Sequence, residues 1–250
     1  MPLASFIALT CLFFLTSVIS VVTGSTSLIT VPVLIAFGIE AHTAVATNML
    51  ALTLMSVGGT LPFVPNGTIS RKYLPASIGI TVIGSIIGAL ALLAVPLHAL
   101  QIIIAAAMIA VSIFTLVNKN MGLKAAQVSR GTALAGYVAV FLLAVYGGFF
   151  SGGYVTMLTA VFVTLFGTTF LQAVATTKVL NIFSSAVATG IFLWRGIVDT
   201  RLGIVLGIAM FFGAMLGGRM AQKLNEIWLR RVFLVAVFAL ALRMIAVSSR

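Results

Sequence analysis

Acidic residues are almost missing from this chain. Glu40, Asp199 and Glu226 are the only three in 250 residues, and each falls at the end of an apolar stretch or in a loop. Proton pumps and cation carriers normally hold a carboxylate within the membrane, and none is evident here. Cysteine is equally scarce: Cys11 stands alone inside an apolar run, which excludes a disulfide framework and a cysteine metal site. The two histidines, His42 and His98, sit near segment ends with no Cys or Asp at ligand spacing, so neither a metal nor any other cofactor is expected. No His or acid lies in mid-segment beside a Ser or Cys, so the nucleophile, base or metal set of an enzyme is not expected either.

What is present is apolar. Hydrophobic residues make up 62% of the sequence, charged residues 7%, and mean hydropathy is +1.27. A chain of this size cannot hide so much apolar surface in a water-soluble globule, which makes the bilayer its solvent. The net charge of +11 does not indicate nucleic acid, because the basic residues are scattered in ones and twos without a stripe or interleaved aromatics. Such scattering suits loops that face anionic headgroups and cytoplasm. The first run, about residues 3–23, lacks a basic leader and a small-residue cleavage site. It is expected to be a retained helix.

The sequence is also written twice. A shift of 129 residues superimposes Phe37-Gly38 on Phe166-Gly167 and Ala44-Val45-Ala46-Thr47 on Ala173-Val174-Ala175-Thr176. Without a gap, it also places Gly24 on Gly153, Ser56 on Ser185, Gly67 on Gly196, Gly84 on Gly213 and Gly88 on Gly217. Two related halves in an apolar chain mark a secondary transporter, whose substrate site lies where the repeats meet. The expected organisation is one transmembrane domain over 1–250: repeat 1 over about 1–117, a polar linker at 118–131, and repeat 2 over about 132–250.

Each half carries five apolar segments, at about 3–23, 25–39, 41–64, 73–95 and 97–117, then 132–150, 154–168, 170–194, 202–222 and 229–247. The second is short in both halves and follows small and hydroxyl residues, Thr23 to Ser27 in one and Ser151-Gly152-Gly153 in the other. Pro32 interrupts the first copy. Short segments at matched places point to discontinuous or re-entrant helices at a binding site. The first two segments either both cross or form one hairpin, so single crossings by the other three make an odd count per half. An odd count inverts the second repeat.

Charge supports that inversion. With the Arg71-Lys72 loop inside, the linker basic residues Lys119, Lys124 and Arg130 return inside, as do Arg219, Lys223, Arg230 and Arg231. This obeys the positive-inside rule and leaves both termini extracytoplasmic; Arg195 and Arg201 on the outer side are its imperfect part. The expected fold is therefore an all-α polytopic membrane protein with two inverted repeats. Gly84-x-x-x-Gly88, Gly203-x-x-x-Gly207 and Gly213-x-x-x-Gly217 are helix-packing motifs, expected within the monomer and also suited to a homodimer.

Lys178 is the exception among the charges, lying about a third of the way along an apolar segment. A buried ammonium is costly unless it is paired, solvated or matched to an anion, and its segment holds no acid. Asn181 lies one turn on along the same face, and Thr176 and Thr177 precede it. A cation, an amide and hydroxyls near a helix N-terminus make an anion site. The matching first-half positions are Thr47, Asn48 and Met49. The chain breaks add Gly24, Ser25, Thr26 and Ser27, ahead of a helix whose first N–H groups would face an anion. Gly153 and Thr156 are the second-half counterparts of Gly24 and Ser27.

These residues resemble the TauE/SafE family of sulfite exporters, also called sulfonate uptake permeases, along nearly the whole chain. Tyr146-Gly147-Gly148-Phe149-Phe150-Ser151-Gly152 is similar to the family's glycine-aromatic motif. Thr177-Lys178-Val179-Leu180-Asn181 resembles its Thr-Lys-x-x-Asn helix, and Gly196-Ile197-Val198-Asp199 its Gly-x-Val-Asp turn. Val31-Pro32-Val33-Leu34 and the stretch from Gly38 to Thr47-Asn48 are similar in the first half. Where the family commonly has a glycine cluster, this chain has Ser25-Thr26-Ser27. The resemblance implies transport of a small sulfur-containing anion, such as sulfite or a sulfonate, across a bacterial inner membrane.

The expected activity is thus an alternating-access carrier for a small anion in the lipid bilayer. Moving one negative charge outward across an inside-negative membrane gains about 2.3 kcal/mol per 100 mV, which favours export or facilitated diffusion without a coupling acid. An anion channel built from the same donors, or a carrier for a non-sulfur organic anion, is the alternative.

Overall fold

The computed structural model describes residues 3–117 and 129–223. The expected last segment at 229–247 and most of the linker lie outside the described residues. Every regular element among those described is helical: α1 (Leu3–Thr23), α2 (Ser27–Ala36), α3 (Ala41–Thr60), a 3-10 turn at Leu61–Phe63, α4 (Leu74–Ala94), α5 (Leu97–Val117), α6 (Arg130–Phe149), α7 (Tyr154–Thr164), α8 (Phe170–Trp194) and α9 (Thr200–Lys223). Six of these, α1, α3, α4, α6, α8 and α9, are long and apolar enough to cross a membrane. The protein is a multi-pass membrane protein. Helices α2 and α7 have 10 and 11 residues, which is about half of the roughly 30 Å hydrocarbon core at 1.5 Å per residue.

Local chemistry explains where the helices start and stop. The Glu40 carboxylate caps α3 by accepting from the His42 and Thr43 N–H groups, and its counterpart Thr169 caps α8 in a reciprocal box with Gln172. Ser129 accepts from Thr132 N–H and starts α6 at Arg130, inside the stretch read as linker. Glycines at matched positions take left-handed backbone angles: Gly24 and Gly153 (φ 68° and 78°), Gly38 and Gly167 (86° and 63°), Gly67 and Gly196 (61° and 69°). A left-handed residue ends a helix without the Cβ clash that other residues would suffer.

Each half hands its fourth helix to the other. Helix α4 packs on α6 and α8, while α9 packs on α1 and α3. The result is two bundles, α1-α2-α3-α9 and α4-α6-α7-α8, which meet along α3 and α8. The glycine motifs make these crossings possible. A Cβ on Gly84 or Gly88 would strike α6 at Ala144 and Val145, and one on Gly213 or Gly217 would strike α1 at Ser17 and Val18. Gly203 and Gly207 face Leu50, Ala51 and Leu54 of α3. All three motifs are therefore used inside one subunit.

Polarity is arranged for lipid. Large apolar side chains such as Ile83, Ile87 and Leu90 on α4, and Leu134, Val138 and Leu142 on α6, point outward. Asn48, Asn181, Lys178 and many of the helix Ser and Thr residues are buried. Where hydrocarbon surrounds the protein, outward Leu and Ile cost nothing and the polar groups collect inside.

Candidate substrate site

Lys178 lies where the two bundles meet. Its side chain is 2% exposed, and its Nζ donates to the Ser20 carbonyl of α1 at 3.4 Å. Its aliphatic stem packs beside Gly59 of α3, where a Cβ would stand in ordinary contact at 3.8 Å from Lys178 Cδ. The ammonium lines a small cavity with Asn181, and Gly24, Thr26 and Ser27 close it from the first-half chain break. Leu52, Met55, Ser151 and Val155 complete the lining. No acidic residue is among them. The space suits about one water molecule.

The polar groups around the cavity are already engaged. Thr26 Oγ1 donates to Ser20 Oγ at 2.5 Å and lies 3.6 Å from Met55 Sδ. Asn181 Nδ2 donates to Ser56 Oγ at 2.6 Å, and among the described residues its Oδ1 has no hydrogen-bond partner. The free end of this amide is therefore an acceptor, whereas sequence reasoning assigned it donor character. At the start of α2, the Leu28 and Ile29 N–H groups bond to the Ser25 and Thr26 carbonyls. A tight first turn thus takes two of the N–H groups expected to face an anion.

The other expected residues sit outside the cavity lining, in matched structural pairs. Thr47 Oγ1 accepts from the Asp199 N–H and Thr176 Oγ1 from the Ser70 N–H, both at 3.0 Å. Thr30 Oγ1 donates to Asn48 Oδ1 at 2.6 Å, and at the matched places Thr159 and Thr177 hydroxyls lie 3.3 Å apart. These bonds tie each short helix to the third helix of its half. Asn48 Nδ2 also donates to Ser27 Oγ at 2.9 Å. Ser25 Oγ meets Thr156 Oγ1 across the halves at 3.1 Å, and Gly24 packs directly on the Thr156 backbone, where a Cβ would come within 2.7 Å of the nitrogen. Gly153 is the left-handed cap of α7.

Sequence reasoning missed Leu52, Met55, Ser151 and Val155. Two signals were available: Leu52 is the 129-residue counterpart of Asn181, with Met55 one turn on, and Ser151 belongs to the glycine-rich break.

The family model described as sulfite exporter TauE/SafE matches residues 9–244. The chain belongs to the TauE/SafE family. It is 31% identical over 235 residues to the probable membrane transporter protein ORF9 of Sinorhizobium sp, covering 93% of this chain and 89% of that one. The probable membrane transporter protein YfcA of Escherichia coli K12 is 27% identical over 227 residues, with 90% and 84% covered. A probable membrane transporter protein of Haemophilus influenzae is 24% identical over 235 residues, with 94% and 92% covered. No solved structure matches the chain. The TauE/SafE motifs now have positions. The glycine-aromatic motif is closed by Tyr146, whose hydroxyl donates to the Gly152 carbonyl at 2.5 Å. The Thr-Lys-x-x-Asn helix is α8, and it brings Lys178 and Asn181 to the cavity. The Gly-x-Val-Asp turn supplies the Asp199 N–H that reaches Thr47.

Proposed function

We propose that this TauE/SafE transporter is a carrier for a small sulfur-containing oxyanion, sulfite or a sulfonate, working by alternating access in a bacterial inner membrane. One observation carries the reading: a lysine is buried at the seam of two bundles, in a cavity with no acid among its described lining residues. Burying an ammonium without a counter-charge is expensive, and a passing anion supplies that charge. Asn181 Oδ1 beside it suits an anion that also carries a proton, such as hydrogensulfite, or the ammonium of an aminosulfonate. Thr26 and Ser27 complete the ring of polar groups.

A cavity this small favours a carrier over an open channel. The moving parts are the two bundles, and the exchanged contacts between halves fit inverted repeats that trade places during transport. Both termini then lie outside. Outward passage of the anion down the inside-negative potential needs no coupling acid. The test is a thermal-shift series on purified protein with sulfite, thiosulfate, taurine, sulfate and acetate. Binding to the folded state raises the melting temperature, so a sulfite or sulfonate should do so and acetate should not. A melting temperature indifferent to every anion would remove the proposal.

A further inference from the structure

Helix α4 carries Ser77, Thr81 and Ser85 at four-residue spacing, all fully buried. Tyr154 at the start of α7 is also fully buried, and its hydroxyl stands close to those of Thr81 and Ser184. Ser85 Oγ donates to Ser184 Oγ at 2.8 Å. Among the described residues the Ser77, Thr81 and Tyr154 hydroxyls have no hydrogen-bond partner. Hydroxyls in membrane helices commonly bond back to their own backbone, as Thr10, Thr16, Thr53 and Thr164 do. Ser77 and Thr81 do not.

The repeat supplies an internal control. The counterparts of Ser77, Thr81, Ser85 and Ser184 are Leu206, Met210, Ala214 and Met55, all buried and apolar. The counterpart of Tyr154 is Ser25, which is bonded to Thr156. Packing at these places is thus satisfied by apolar side chains in one bundle, and the hydroxyls of the other answer to something else.

Position and charge indicate what that is. Ser77 lies in the first turn of α4, just after the Arg71-Lys72 loop. Tyr154 lies between Ser151 and Val155 of the Lys178 cavity, and Ser184 is one turn beyond Asn181. The column therefore lies between the turn that follows a basic loop and the two helices, α7 and α8, that carry cavity residues. Neither described acid serves it: Glu40 pairs with His42, and Asp199 Oδ1 accepts from the Leu202 N–H of α9. Hydroxyls flanked by fixed positive charge suit an anion, to which each can donate a proton, and not a cation.

We propose that Ser77, Thr81 and Tyr154 form a second, uncharged anion subsite, a resting place for the oxyanion between the Arg71-Lys72 loop and Lys178. This rests on reading the Lys178 cavity as an anion site. Sulfite flux in proteoliposomes and sulfite binding by calorimetry, on wild type, Tyr154→Phe, Thr81→Val and Lys178→Met, test both. Loss of one hydroxyl donor should lower maximal flux about fivefold or more, with sulfite affinity within about twofold of wild type. Lys178→Met should lose binding itself. Full flux in both hydroxyl variants, with a raised melting temperature in Tyr154→Phe, would make the hydroxyls structural orphans and overturn the subsite. So would a flux defect that appears only when sodium is present. Wild-type sulfite affinity in Lys178→Met would instead overturn the cavity reading, and the subsite with it. A wild-type protein that neither binds nor moves sulfite, thiosulfate or taurine overturns both.

Discussion

The hydroxyl of Thr176 accepts the backbone N–H of Ser70 at 3.0 Å, tying the start of α8 to the loop that opens α4. Shifted by 129 residues with the halves exchanged, the same bond runs from the Asp199 N–H to Thr47 at 3.0 Å. Each repeat thus latches the other repeat's fourth helix to its own third. If the repeats are inverted, the two latches lie toward opposite faces of the membrane.

The latches should therefore act unequally on transport. Thr176→Val or Thr47→Val leaves a partly buried N–H unpaired, at a cost of about 1 kcal/mol, the low end for an unsatisfied donor. Cysteine-accessibility labelling of the cavity in a Cys11→Ser background should rise from one side in Thr176→Val and from the other in Thr47→Val. Identical sidedness in both variants would contradict opposed latches.

Lys178→Met keeps the length of the side chain and removes its charge. Flux should fall to background, with expression and membrane insertion at wild-type levels. Retained transport would remove the ammonium from the mechanism.

Glycine substitutions separate close crossings from open positions. Gly88→Leu places a side chain against Val145 of α6 and should destabilise by about 1–3 kcal/mol, read as detergent melting. Gly79→Ala meets nothing within 4 Å. It should be neutral or stabilising by roughly 0.5–1 kcal/mol, the usual gain of Ala over Gly inside a helix.

The cap of α3 gives a pH signature. Partial burial pushes the Glu40 carboxyl up, but hydrogen bonds from His42 and Thr43 outweigh it and hold the group below the ordinary carboxylate range. A lowered folded-state value means the stabilisation is present above the unfolded carboxylate pKa and is lost as pH falls through the folded one. The melting-temperature gap between wild type and Glu40→Gln should accordingly close on acidification. A gap that widens toward low pH would contradict the assignment.

Topology is checked at two loops. Single cysteines at Arg71 and Arg195, again in the Cys11→Ser background, should label from opposite faces of the membrane, with Arg71 cytoplasmic. Labelling of both from one face would exclude the crossing count that inverts the repeats.

The membrane class, the element order, the short α2 and α7 and the 129-residue relation were all legible in the amino-acid order. Apolar length, chain breaks and glycine periodicity are local properties, and hydrocarbon tolerates few alternatives to a helix. Lys178 and Asn181 were legible as neighbours because one helical turn separates them. Their company was not. That Thr47 and Thr176 hold loops of the opposite half and that Ser77 and Thr81 face the α6-α7-α8 bundle follow from the exchange of α4 and α9, and that Asn181 spends its donor on Ser56 follows from the meeting of α3 and α8. Partner choice among buried polar groups depends on which helices touch, and side-chain chemistry alone leaves many pairings equally satisfied.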